Sequence, residues 1–72
     1  MEKDIFQQMV DRWESAVVAR TQIEKFSGGM MSAKYMANLD SMGIGCPGKI
    51  HCGRKVAYST QSLGDWLRAR SN

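Results

Sequence analysis

Ser32-Ala33-Lys34-Tyr35-Met36-Ala37-Asn38-Leu39-Asp40-Ser41-Met42-Gly43 reads as a helix and its stop, and Lys49-Ile50-His51-Cys52-Gly53-Arg54-Lys55-Val56-Ala57-Tyr58 as a β-hairpin. Residues 32–58 therefore decide the fold. Ser32 suits an N-cap, because its hydroxyl can accept from a first-turn N–H that has no partner within the helix. Nothing from Ala33 to Met42 breaks the helix, and Gly43 readily takes the left-handed conformation that ends one. Gly45, Pro47 and Gly48 then punctuate a turn. Beyond it lie two short extended halves hinged at Gly53.

At about 100° per residue, Met36 and Leu39 mark the buried side of the 32–42 helix, with Ser32, Asp40 and Gly43 near it. Lys34, Ala37, Asn38 and Ser41 fall on the opposite side. That face offers one cation, one carboxamide able to bond the N6/N7 edge of adenine twice, one hydroxyl, and one residue small enough for close approach. Tyr35 lies on the flank, where its ring can pack while its hydroxyl reaches a phosphate. Outward Lys, Asn and Ser are also ordinary on a solvated helix. The cationic hairpin gives the face a second meaning, since a short helix beside such a hairpin is what a winged helix presents to duplex DNA.

In the hairpin, Lys49, Arg54 and Lys55 are expected around the Gly53 turn, where cations can reach phosphates beside a groove. Ile50, Val56 and Tyr58 are the inward candidates, and Cys52 reads as a buried spacer. The same charges would also protect a sheet edge from aggregation. Arg20, just ahead of a helix start at Thr21, is placed for phosphate. Arg68 and Arg70 suit the C-terminal end of the last helix's dipole.

Working outward, Asp4 and Gln7 form a capping-box pattern, followed by Ile5, Phe6, Met9, Val10, Trp13 and Val17 at helical intervals. Ala16 to Ala19 is open between a last helical turn and a short extended piece. Thr21 with Glu24 starts a second short helix burying Ile23 and Phe26, and Gly28 and Gly29 end it. The link through Met30 and Met31 to Ser32 is then a tight turn of the helix-turn-helix kind. A final helix from Thr60 or Ser62, with Asp65 completing a box with Ser62, buries Leu63, Trp66 and Leu67. The fold class is mainly α with a small β-hairpin: a winged helix-turn-helix over 17–72 with an added amphipathic helix over 1–16.

The 72 residues allow one domain, which buries only about 60% of the surface its unfolded chain exposes, so no deep catalytic cleft is expected. At 43% apolar and 24% charged residues the chain should fold rather than stay disordered. Ten Lys plus Arg against seven Asp plus Glu give +3, and from Lys49 onward Asp65 is the sole carboxylate side chain against five cations. That asymmetry favours an anionic partner. No apolar run approaches the roughly 18 residues of a membrane span, and Met1-Glu2-Lys3-Asp4 does not resemble a signal region. A cytoplasmic location, in a bacterial or phage-infected cell, is the expectation. Cys46, His51 and Cys52 are three soft ligands where a structural zinc takes four, so no metal and no cofactor is expected and free thiols are the default.

Val18-Ala19-Arg20-Thr21, Phe26-Ser27-Gly28-Gly29, Ala37-Asn38-Leu39-Asp40-Ser41, Gly53-Arg54-Lys55-Val56-Ala57-Tyr58 and Leu63-Gly64-Asp65-Trp66-Leu67 together resemble the small DNA-binding proteins of phages and integrated elements. These are the excisionase and AlpA-like members of the MerR-type winged-helix group, and the resemblance spans about residues 17 to 70. It implies a helix-turn-helix in the major groove, a hairpin wing, and a role in transcription regulation or in setting the direction of DNA recombination. Carried over, it implies DNA contacts from Lys34, Tyr35, Asn38, Arg54 and Lys55. The chain departs from the pattern at Cys46, before Pro47, and at His51 and Cys52, where an Arg-plus-aliphatic pair is common.

Double-stranded DNA is thus the expected partner, with Arg20, Lys34, Tyr35, Asn38, Ser41, Lys49, Arg54 and Lys55 as candidate contacts. The N-terminal helix lies outside the matched region, and its Ile5, Met9 and Trp13 stripe is either core cover or a surface for an integrase or a second copy. A rival expectation is a protein-interaction module, an adaptor or inhibitor of a recombinase or response regulator. No enzyme is expected: the lone His51 has no second base or carboxylate pair at a defined spacing, and no phosphate-cradling loop is present. Nor is a small-molecule substrate.

Overall fold

The computed structural model describes residues 4–70, about half of them helical. In chain order the elements are α1 (Ile5–Arg12), β1 (Val17–Ala19), a 3-10 turn (Arg20–Gln22), α2 (Ile23–Phe26), α3 (Ala33–Ser41), β2 (Lys49–Cys52), β3 (Lys55–Ser59) and α4 (Thr60–Arg70). The strands form one antiparallel sheet in the order β1-β3-β2. The segment left open between helix and strand is therefore extended. Val18 faces Tyr58 across the β1–β3 ladder, and both are fully buried.

Local signals hold where the chain's own chemistry suffices. Ser32 Oγ accepts from Tyr35 N at 3.1 Å, and Gly43 ends α3 with φ at +78°. Asp4 accepts from Gln7 N at 2.8 Å, although the Gln7 side chain turns to Asp11 and Gln61 instead of closing a box. Two other expected boxes do not form. Thr21 is exposed inside the 3-10 turn, and α2 begins after Gln22 with no side-chain cap, because the chain turns directly out of β1. Helix α4 starts at Thr60, whose Oγ1 donates to Ser15 O at 2.8 Å, while Asp65 accepts from Gln61 and Arg68. The pull of β3 into the sheet sets that start.

The core gathers Val18, Ile23, Phe26, Met36, Leu39, Tyr58, Leu63 and Leu67 from every helix but α1 and from the two paired strands β1 and β3. Against it pack Phe6, Met9, Val10 and Trp13 of the N-terminal segment. Trp13 meets Phe26 edge to face, centroids 5.4 Å apart, and its Nε1 donates to Val17 O at 2.9 Å. Gly64 on α4 is buried under Val10, whose Cγ2 a Cβ at position 64 would run into. Helix α1 thus sits directly on α4. Of the proposed partner stripe, Met9 and Trp13 turn onto the core and Ile5 is left 60% exposed.

Asp4 also ties α1 to α4, accepting from Arg68 Nε at 2.5 Å and Nη2 at 2.9 Å. The Arg68 hydrogen bonds, helped by the Gln7 amide, hold its pKa at about 2 against an ordinary 3.8. A depressed carboxylate pKa contributes stability that is present above the unfolded value and lost as pH falls through the folded one. The melting temperature should therefore decline between about pH 4 and pH 2, and less so in Asp4→Asn, which keeps the cap but not the charge. Equal acid sensitivity in both proteins would contradict this. Because the pair is exposed and screened, the effect is small.

Candidate nucleic-acid interface

Helix α3 is oriented by Met36 and Leu39, both buried, and by Asp40, whose side chain is 7% exposed. With that side down, Lys34, Asn38 and Ser41 are exposed along the outer face and Ala37 is half-buried between them. Lys34 has no ion pair among the described residues. Tyr35, at the flank, accepts from Arg70 Nη2 at 3.1 Å, and that guanidinium lies 4.9 Å from the Trp66 ring centroid. Its hydroxyl proton stays available to a further acceptor.

Asp40 carries the main electrostatic feature. Its Oδ2 accepts from Arg20 Nη2 at 2.5 Å and from the Tyr58 hydroxyl at 2.6 Å, while Arg20 Nε donates to the same Tyr58 oxygen at 3.0 Å. Burial, then the Asp40 carboxylate, pushes the Tyr58 phenol up to about 12, so it stays protonated. The three side chains come from the 3-10 turn, α3 and β3. They lock the inner side of α3 to the hairpin and so leave its outer face exposed. Gly45 belongs to this arrangement, since a Cβ there would overlap Asp40 Oδ1. Arg20, expected at a phosphate, therefore has two of its three nitrogens engaged within the protein.

The hairpin register pairs Lys49 with Tyr58 and Cys52 with Lys55, and Gly53, at φ +62°, makes the turn with Arg54. Arg54 and Lys55 thus occupy the tip, exposed and without ion pairs among the described residues. Lys49 does not join them. It stands three residue steps away at the open end, roughly 10 Å along the strand. Two inward assignments also change: Ile50 is 43% exposed and Cys52 is exposed, because β2 is an edge strand on which nothing packs deeply enough to bury any of its four residues. Tyr58 is buried and Val56 half-buried, as β3 is central.

Cys46 is the buried thiol, and desolvation pushes its pKa up, away from the reactive thiolate. Among the described residues, no three His, Cys, Asp or Glu side chains gather as a metal site. Nor is any helix of the described residues long and apolar enough to cross a membrane. Sequence reasoning missed the Asp40, Arg20 and Tyr58 cluster. Asp40 placed on the buried side of its helix was the available signal, since a carboxylate there needs a partner. No protein-family model, curated protein or solved structure matches this chain.

Proposed function

We propose that this chain is a sequence-specific duplex-DNA-binding protein of the winged helix-turn-helix kind, acting as an excisionase-like or transcriptional regulator of a mobile element. Helix α3 enters the major groove and the β2–β3 hairpin lies as a wing on the phosphates. The observation that carries this reading is the exposed outer face of α3, Lys34, Asn38 and Ser41, on a helix whose inner side is fixed through Asp40 to a hairpin whose tip holds two uncompensated cations. A polar face able to read base edges needs a rigid platform, and cations at an exposed tip suit backbone contacts. In this arrangement Asn38 reads a base edge and Lys34 and Tyr35 position the helix. Arg54 and Lys55 supply affinity.

Binding to random-sequence duplex, measured by anisotropy across a salt series, tests this. Arg54→Ala with Lys55→Ala should weaken binding on every sequence and flatten the slope of log K against log salt by up to about 1.8, at about 0.9 per phosphate contact. An unchanged slope removes the hairpin from the interface. Asn38→Ala should cost roughly 1–3 kcal/mol of discrimination at one base pair of a selected site while leaving random-duplex affinity nearly intact. If the wild type shows no salt-dependent binding at all, the protein-interaction alternative takes its place.

A further inference from the structure

Because β1 ends at Ala19 opposite Ala57, the next residues of β3 overrun it. Val56, Lys55 and Arg54 extend past the strand's end beside the 3-10 turn. Between them lies a notch of about 220 Å³ lined by Ala19, Arg20, Thr21, Arg54, Lys55 and Val56. Three of its six residues are cationic and one carries a hydroxyl, with no carboxylate among them. One water needs about 10–15 Å³ of such space, so the notch has room for one hydrated tetrahedral oxyanion.

The three cations are not equivalent. Arg20 is pinned by Tyr58 and Asp40 through Nε and Nη2, which leaves Nη1 as its uncommitted nitrogen on a guanidinium that cannot swing away. Asp40 neutralises most of its charge, so Arg20 offers the notch a fixed donor and little net field. Arg54 and Lys55 bring that field on exposed, movable side chains. Thr21 has no hydrogen bond from its hydroxyl among the described residues and is exposed at the rim. We infer that this notch seats a single phosphate group, held by the Thr21 hydroxyl and Arg20 and closed over by Arg54 and Lys55. A duplex-backbone phosphate is the occupant if the function proposed above holds, and the inference rests on that reading only for the source of the phosphate. Its chemistry is the same for free phosphate.

Two arms separate the sources, using the full chain and Thr21→Val, which keeps the side-chain shape at an exposed position. In the first, inorganic phosphate is titrated against sodium chloride of equal ionic strength while the amide signals of Thr21, Arg54 and Lys55 are followed. Saturable shifts specific to phosphate, reduced in Thr21→Val, are expected. In the second, random duplex is titrated onto both proteins, and Thr21→Val should bind about fivefold more weakly with an unchanged melting temperature, the loss of one charge-assisted hydrogen bond at a solvated site. Equal duplex affinity for both proteins overturns the notch as a DNA contact and leaves the α3 reading intact. Saturable phosphate binding with no duplex binding keeps the notch, assigns it to free phosphate and removes the DNA proposal. Phosphate shifts no larger than those with chloride, together with equal duplex affinities, overturn the inference outright.

Discussion

Asp40→Ala should destabilise the protein by about 3 kcal/mol, because it strips the shared acceptor from two partners at once. Tyr58 would keep a buried hydroxyl that has lost its acceptor, and Arg20 would keep a guanidinium, 26% exposed, that has lost its counter-charge. For a domain of this size total stability is of order 4–11 kcal/mol, so the loss is a large share of it. Tyr58→Phe removes the hydroxyl's two hydrogen bonds, to Asp40 and from Arg20, but leaves the Arg20 and Asp40 pair in place, and should cost only about 1–2 kcal/mol. Urea denaturation of the three proteins ranks them. If Asp40→Ala is no worse than Tyr58→Phe, the carboxylate is not the centre of the network.

Trp13→Ala should cost a similar amount, about 3 kcal/mol, toward the lower end for an aromatic truncation because the ring is only partly buried. The indole joins Phe6, Met9 and Val10 in seating the N-terminal segment on the core, through its edge contact with Phe26 and its bond to Val17 O. In a domain of this length such a loss lowers the melting temperature by roughly 15 °C, readable by circular dichroism. A melt unchanged within a few degrees would mean that α1 is an accessory segment free to serve a partner. Duplex affinity at low temperature, by contrast, should be nearly unaffected, since Trp13 is remote in sequence and role from Lys34, Asn38 and the hairpin tip.

Elements set by local chemistry were legible in the sequence, and those set by distant partners were not. The cap at Ser32, the stop at Gly43 and the turn at Gly53 are each decided within a few residues, so α3 and the hairpin could be read directly. The buried and exposed sides of α3 followed from periodicity alone. Residues 17–19 became a strand only because β3 offers them an edge, a pairing across about 40 residues that no local pattern announces. Gly45, Gly48 and Gly64 look like turn or neutral residues, yet each lies where a Cβ would collide with Asp40, Ser62 or Val10. Ile50 and Cys52 are exposed against expectation for a related reason. Alternation tells which strand residues share a face, but not whether anything covers that face.

The candidate site divides in the same way. Lys34, Asn38, Ser41, Arg54 and Lys55 are exposed as their positions on α3 and at the turn require. Arg20 stands out in the sequence for its place before an expected helix start, whereas its pairing with Asp40 and Tyr58 depends on three elements meeting. Sequence proximity groups Lys49 with the tip residues, whereas the ladder register sets it at the far end.

The most direct test of duplex recognition through α3 and the hairpin is to add random-sequence duplex to isotope-labelled protein at low salt and map which amides move. Saturable shifts are predicted for Lys34, Asn38 and Ser41 on α3 and for Arg54 and Lys55 at the hairpin tip, with Ile5, Met9 and Trp13 unmoved. Absence of saturable shifts, or shifts centred on α1 and the exposed Ile5, would contradict the account.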